Sequence, residues 1–336
     1  MYILVLLRNL FVSFILQKYL NIFIFIFIII MNILLTGGAG FVGSNILNEL
    51  NDGLNKITVF DNLKTGYISN LQSDVKFINI DCSDEKILEM TEYYDCIIHV
   101  AGQASKEGSF TDVFYDLNSN AKSTLVILEY ARKTNCKRVI FISTVCVYGG
   151  TTNPGTYHEN SEIQYDTFYS IHKYSSEKYL ALYKKHYDID YTIFRLFTCY
   201  GPGQDLTNTS KGMVSIYLSQ FLSNNKDVII KGSLERYRDF IYVKDVANIV
   251  KDSIHNKLLF NDIFNLGSGV KTTIKELLDI IQEEGRFNKN IIVENEIIGD
   301  MIGCVSDNTK LKNIYKNIFE FTSVKDGVSK MIKYYA

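Results

Sequence analysis

Residues 31–43 read MNILLTGGAGFVG. Asn32 to Thr36 is a short apolar run, as expected of a strand buried on both faces. A turn of Gly37, Gly38, Ala39, Gly40, Phe41, Val42 and Gly43 follows. Apolar residues then recur with helical spacing at Ile46, Leu47 and Leu50. Strand, turn and helix in this order give the glycines a physical purpose. One allows the tight turn, another lets the backbone approach a pyrophosphate, and Gly43 lets the helix pack closely on the strand. The helix N-terminus then offers N–H groups to the phosphates.

Residues 56–60, KITVF, end at Asp61 and Asn62, about 20 residues beyond the glycines, where a dinucleotide-binding unit places an acid against the adenosine ribose. A carboxylate there repels a 2′-phosphate, so NAD is favoured over NADP. Strand-like runs continue at 75–80, 96–100, 138–142 and 191–196, with helical patterns between most of them, notably 116–133. The pattern predicts an α/β protein, a Rossmann-like doubly wound parallel sheet. A length of 336 residues suits one large domain or two joined ones, and a net charge of -2 argues against a nucleic-acid partner. The six cysteines form no C-x-x-C pair and the five histidines show no ligand spacing, so reduced thiols and no metal are expected.

Two further stretches carry chemistry. FISTVCVYG, residues 141–149, puts Ser143 and Thr144 just past the end of a sheet strand, where open α/β sheets bind ligands. FYSIHKYSSEK, residues 168–178, puts Tyr169 and Lys173 on one face of a helix. An ammonium beside a phenol favours the phenolate, which makes Tyr169 a candidate general base near neutral pH. Cys146 is expected to be a pocket-wall residue. His172 falls on another helix face and is expected to be structural or exposed. Gln103 and Ser105 could touch nicotinamide or sugar, or simply pack their loop.

These motifs resemble the extended short-chain dehydrogenase/reductases, and within them the NAD-dependent sugar epimerase/dehydratases, over residues 31 to about 335. The resemblance places the glycine turn on Gly37, Gly40 and Gly43, with Phe41 and Val42 beside the cofactor, the ribose acid on Asp61 next to Asn62, and an adenine-contacting acid on Asp81 next to Cys82. HVAG, ending in Ala101 and Gly102, matches a cofactor-contacting strand end. The catalytic set falls on Thr144, Tyr169 and Lys173, and Asn120 on a supporting helix position. RLFTCYGPGQ (195–204), RDFIYVKDV (238–246) and FNLGSG (264–269) match later signatures. Position 198 is Thr where the family usually has a substrate-holding Asn, and a phosphate-binding Arg common near the C-terminus is missing. Thr198, Arg236 and Arg238, with Thr144, are therefore the expected substrate-binding residues, and Tyr169 and Lys173 are expected to contact the cofactor as well. The related 4,6-dehydratases carry an Asp-Glu pair after the Thr. Here those positions are Val145 and Cys146, which favours epimerisation.

The resemblance implies a nucleotide-sugar epimerase, with a UDP-sugar favoured, working at C4 through a keto-sugar with bound NAD. A net oxidoreductase or dehydratase on the same scaffold, and a cofactor-binding protein without catalysis, are the alternatives. Residues 31–197 are expected to hold NAD and residues 198–336 to form mainly a smaller, discontinuous substrate-binding lid, with segments returning to the sheet. A cytoplasmic homodimer is expected, paired through helices 116–133 and 168–187. The apolar run 22–31 is shorter than the about 20 residues a span needs, is interrupted upstream by Asn21 and Lys18, and abuts a buried strand without a linker. Met31 is thus the expected first residue. Residues 1–30 are expected to lie outside the working enzyme, as a mistranslated upstream segment or a membrane-associated extension.

Overall fold

The computed structural model describes residues 30–149, 155–208, 212–294, 302–316 and 319–336. Of the upstream extension, residues 1–30, all but Ile30 lie outside the described residues. Among the described residues, no helix is long and apolar enough to cross a membrane.

The first part of the chain alternates strands and helices: β1 (Asn32–Thr36), α1 (Phe41–Leu50), β2 (Lys56–Asp61), β3 (Lys76–Asn79), β4 (Cys96–His99), α2 (Lys106–Thr111), α3 (Val113–Leu117), α4 (Ser123–Lys133) and β5 (Arg138–Thr144). Next come β6 (Gly155–Tyr157), α5 (Phe168–Tyr187), β7 (Asp190–Leu196), β8 (Thr198–Tyr200), α6 (Met213–Leu222), β9 (Asp227–Lys231), β10 (Tyr237–Tyr242) and α7 (Val243–Ser253). The chain closes with β11 (Asp262–Leu266), β12 (Lys271–Thr273), α8 (Ile274–Glu284), β13 (Asn290–Glu294), β14 (Gly303–Ser306), α9 (Thr309–Tyr315) and α10 (Val324–Tyr335).

Seven parallel strands form the main sheet in the order β11-β7-β5-β4-β1-β2-β3. The fold is α/β, Rossmann-like and doubly wound. Alternation along each strand separates the two faces. Ile33, Leu35 and Ile98 face Leu47 and Leu50 of α1 and Val246 and Val250 of α7. Leu34, Ile97 and Phe141 face Ile127 and Tyr130 of α4 and Leu180 of α5. Strand order reverses between β1 and β4, and a crevice opens at such a reversal.

A second sheet, β12-β10-β14-β6 with β8 also paired to β10, draws strands from before and after β7. Its core joins Phe240 and Tyr242 to Val214, Leu218, Leu278 and Val328 of the surrounding helices.

Two features depart from the sequence pattern. The helix expected over 116–133 is interrupted by a wide, π-type turn at Asn118–Lys122. The seventh strand, β11, has the sequence DIFNL, whose polar residues hide it from an apolar-run reading. Asn265 within it is fully buried, and its side chain accepts from Tyr148 Oη at 2.7 Å and donates to the Tyr157 carbonyl at 2.8 Å.

Candidate active site

The crevice at the C-terminal ends of β1, β2, β4 and β5 continues beneath the second sheet as a cleft of about 1000 Å³. Its cofactor end is shaped by the glycines. Gly37 has φ +71°, and a Cβ there would lie 2.7 Å from the Ala101 nitrogen. A Cβ on Gly43 would lie 2.0 Å from the Gly37 carbonyl oxygen. Gly40 is looser, meeting only that oxygen at 3.4 Å, and it N-caps α1 without a side-chain cap. Gly37, Gly40, Phe41, Val42 and Gly43 all line the cleft. Asp61 lines it too, held by N–H donation from Ala39 (3.0 Å) and Leu63 (2.8 Å). Asn62 donates to Asp81 at 2.7 Å; both line the cleft, as do Cys82, Ala101 and Gly102. Burial pushes the Asp81 carboxyl up, but donation from the Ser83 N–H and hydroxyl and from Asn62 outweighs it, leaving it below its usual value. An uncapped helix N-terminus, two turn positions closed to any side chain and a buried strand-end carboxylate fit a dinucleotide.

Thr144 ends β5, and its Oγ1 accepts from the Cys146 N–H at 3.2 Å. Tyr169 and Lys173 sit in the first turns of α5, whose start is fixed by a reciprocal capping box between Thr167 and Ser170. All three line the cleft and are buried. Burial pushes the Tyr169 phenol well above its usual value, the nearby Cys146 thiol adds to this, and a hydrogen bond from Thr144 opposes it. Lys173 is pushed down to about 7 by burial, against the pull of Glu177 and Asp116. Its Nζ donates to the Ile142 carbonyl at 2.6 Å and lies 4.1 Å from the Phe141 ring centre. The sequence expectation that the lysine dominates the phenol is therefore modified: desolvation is the largest influence on both groups.

Buried polar groups brace this set. Ser143 Oγ donates to Glu177 at 2.6 Å, and Arg195 holds the same carboxylate with two hydrogen bonds, Nε at 3.0 Å and Nη2 at 2.7 Å. His99 bridges Thr36 (2.8 Å) and Thr124 (3.2 Å), and burial, with help from the Lys173 charge, pushes it down to about 3, so it is neutral. His172 is not exposed; it pairs with Asp116 at 2.6 Å. Gln103 lines the cleft, and its side chain donates to Asp116 (2.8 Å) and to the Ser105 carbonyl (2.7 Å).

Thr198 and Arg238 form part of the cleft wall. Arg236 is not among the lining residues; its guanidinium donates to the Ser233 carbonyl at 2.9 Å and to that of Lys231. Of the two arginines expected beside the diphosphate, the structure brings one to the cleft. Sequence reasoning missed Lys64, Tyr115 and Asp205 in the wall. Lys64 stacks 3.5 Å above the Tyr115 ring centre, and Tyr67 reaches across to Asp205 at 2.8 Å. No sequence pattern signals these contacts, because each joins segments distant in the chain. No group of three or more metal-ligating side chains occurs among the described residues.

Comparison with known proteins agrees with this geometry. Residues 33–267 match the model of the NAD dependent epimerase/dehydratase family, and the chain belongs to that family. It is 32% identical over 305 residues to a putative UDP-glucose 4-epimerase of Methanocaldococcus jannaschii, covering 90% of this chain and 97% of that one. The structure of the Thermotoga maritima UDP-glucose 4-epimerase with UDP-glucose is 30% identical, with a TM-score of 0.85 over 91% of this chain and 98% of that one. The Thermus thermophilus UDP-glucose 4-epimerase, solved with NAD, is 26% identical, with a TM-score of 0.81 over 91% and 99%. The chain is an NAD-dependent enzyme of the epimerase type.

Proposed function

We propose that this chain is a nucleotide-sugar 4-epimerase acting on UDP-sugars. One observation carries the reading: Thr144, Tyr169 and Lys173 share a single cleft with the glycine turn, Asp61, Thr198 and Arg238. A dinucleotide and a sugar diphosphate then meet at the phenol. NAD, held by the glycine turn and Asp61, would supply the hydride acceptor and donor. Tyr169 takes the proton of the sugar 4-hydroxyl as hydride leaves C4, and Thr144 orients that hydroxyl. Lys173 stabilises the phenolate. The keto-sugar turns about its diphosphate, which Arg238 and Thr198 hold. Tyr169 then returns the proton as hydride re-enters from the other face. Val145 and Cys146 supply no carboxyl group for an elimination, which favours epimerisation over dehydration. We assign residues 31–197 mainly to the cofactor and 198–336 mainly to the substrate.

Incubation of the purified protein with UDP-glucose, UDP-N-acetylglucosamine and their dTDP counterparts, without added cofactor, tests this. NMR of the anomeric protons should show interconversion of 4-epimers. A stoichiometric demand for added reduced nicotinamide, or a dehydrated product, would replace the reading with the oxidoreductase or dehydratase one.

A cytoplasmic homodimer accords with the same reading. Leu117, Ile171 and Leu182, within the stretches 116–133 and 168–187 expected to pair, are 38%, 42% and 51% exposed, apolar surface suited to pairing with a second copy. The six cysteines are unpaired, as a reducing compartment requires. Sedimentation at micromolar concentration should give the mass of two chains; a monomer counts against the pairing.

A further inference from the structure

The Asp116–His172 pair lies outside the proton path described above and does not line the cleft, yet it joins α5 to the cleft-lining residues Gln103 and Asn120. Asp116 is fully buried in α3. One carboxylate oxygen accepts from His172 Nδ1 at 2.6 Å, so that nitrogen carries the proton. The other accepts from Gln103 Nε2 at 2.8 Å and Asn120 Nδ2 at 3.0 Å. The four residues come from the turn after β4, the helical stretch 113–122 and α5. Gln103 belongs to the turn Gly102–Ser105, which lines the cleft, and its side chain also holds the Ser105 carbonyl and accepts from the Ser105 N–H. Asn120 sits in the wide turn after α3 and donates to the Gln103 carbonyl at 3.1 Å. His172 lies between Tyr169 and Lys173 on α5. The wide turn directs Asn120 inward, and its freed carbonyl accepts from Ser176 of α5 at 3.0 Å.

We propose that His172 and Asp116 are positioning residues: their buried pair clamps the cleft-lining turn Gly102–Ser105 to the helix that carries Tyr169 and Lys173, and so fixes the width of the space in which the oxidised sugar is held until it is reduced again. The proposal rests on the epimerase reading, in which the oxidised sugar stays bound until hydride returns. A buried carboxylate with three donors has a single low-energy arrangement, since each lost partner leaves a buried charge under-solvated. The clamp transmits position, and its own groups exchange no proton with the sugar.

Wild-type turnover without added cofactor checks the epimerase reading itself. The clamp is then tested against that wild type with His172→Leu and Gln103→Met, which break its two ends, with the double variant, and with His172→Asn, which keeps a donor near the Nδ1 position. Each single break should lower kcat about tenfold, the scale of a small misplacement of reacting groups. It should also raise the fraction of enzyme carrying reduced nicotinamide during turnover, read by absorbance, because the keto-sugar escapes before hydride returns. His172→Asn should restore most of both, and the double variant should be no slower than the slower single, since both cut one device. Wild-type kcat and reduced fraction in His172→Leu, equal damage in His172→Asn, or multiplying losses in the double variant would each overturn the proposal. If His172→Leu fails to fold, Gln103→Met decides by the same two readouts.

Discussion

Tyr169 is a phenol whose surroundings oppose its ionisation, and Lys173 is an amine in a place that disfavours its charged form. Tyr169→Phe keeps the ring and removes the proton carrier. Epimerisation should fall by about 10²–10⁴, the range for losing a positioned acid–base group, with NAD still bound. An unchanged rate would favour the reading without catalysis. Lys173 also makes a pH prediction. Its folded value, about 7, lies below the ordinary 10.5. Between those values the unfolded chain binds the proton and the folded one does not, so stability from this group is fully present above the upper value and is lost as pH falls to the lower. In cofactor-free protein the stability of wild type relative to Lys173→Met should therefore rise from about pH 7 to about pH 9, measured by urea unfolding. A constant difference would mean that Lys173 stays protonated in the fold. Asp61 is legible as the acid at a strand tip, but its bonds to the Ala39 and Leu63 N–H groups are not. Asp61→Ala should weaken NAD binding by about ten- to hundredfold, the scale of a lost charged hydrogen bond, and narrow the preference over NADP. Tighter NADP binding by the wild type would reverse that assignment.

Among the elements, the β1–α1 unit shows how a local motif becomes a packing constraint. Gly43 is read from sequence as a close-approach residue, and the reason in atoms is that any Cβ at this position would stand only 2.0 Å from the Gly37 oxygen. Gly43→Ala must push α1 off the turn, at about 1–3 kcal/mol or more for an overpacked site. A lowered unfolding midpoint together with weaker NAD binding is the expected outcome; wild-type values for both would show that the turn yields. The strands β1, β2, β4 and β5 are legible because burial on both faces demands unbroken apolar runs. β11 is not, because Asp262 and Asn265 interrupt the run and their partners lie far along the chain. The break in the long helix at Asn118–Lys122 is equally hidden, since it is set by Asn120 meeting Gln103 and Ser176.

For the molecule as a whole, Asp239 ties the second sheet to the loop after β11. Fully buried, it accepts from the N–H groups of Ser268 (2.7 Å), Gly269 (3.0 Å) and Ser306 (3.0 Å), and from the hydroxyls of Ser268 (2.6 Å) and Ser306. Asp239→Ala leaves several buried donors unpaired at about 1–3 kcal/mol each, so it should destabilise the protein strongly and disturb the neighbouring Arg238 wall. Thermal unfolding combined with the UDP-sugar KM measures both. Unchanged values would remove Asp239 from the framework. Arg238, next to it in the same signature, reaches the cleft while Arg236 turns to the carbonyls of Lys231 and Ser233, although both are arginines of one strand end.

By itself the sequence determined the parallel sheet and its glycine turn, put an acid, Asp61, at the tip of the second strand, and put Tyr169 and Lys173 on one helix face. Each rests on spacing within a short segment, and the demands of strand burial, helix pitch and phosphate approach act over those same few residues. Only the tertiary structure decided which arginine faces the cleft, where β11 pairs, and that Asp116, His172 and Gln103 form one network. Those outcomes depend on desolvation and on partners far apart in the chain, and a buried polar group takes its role from whichever donor or acceptor the folded core brings to it.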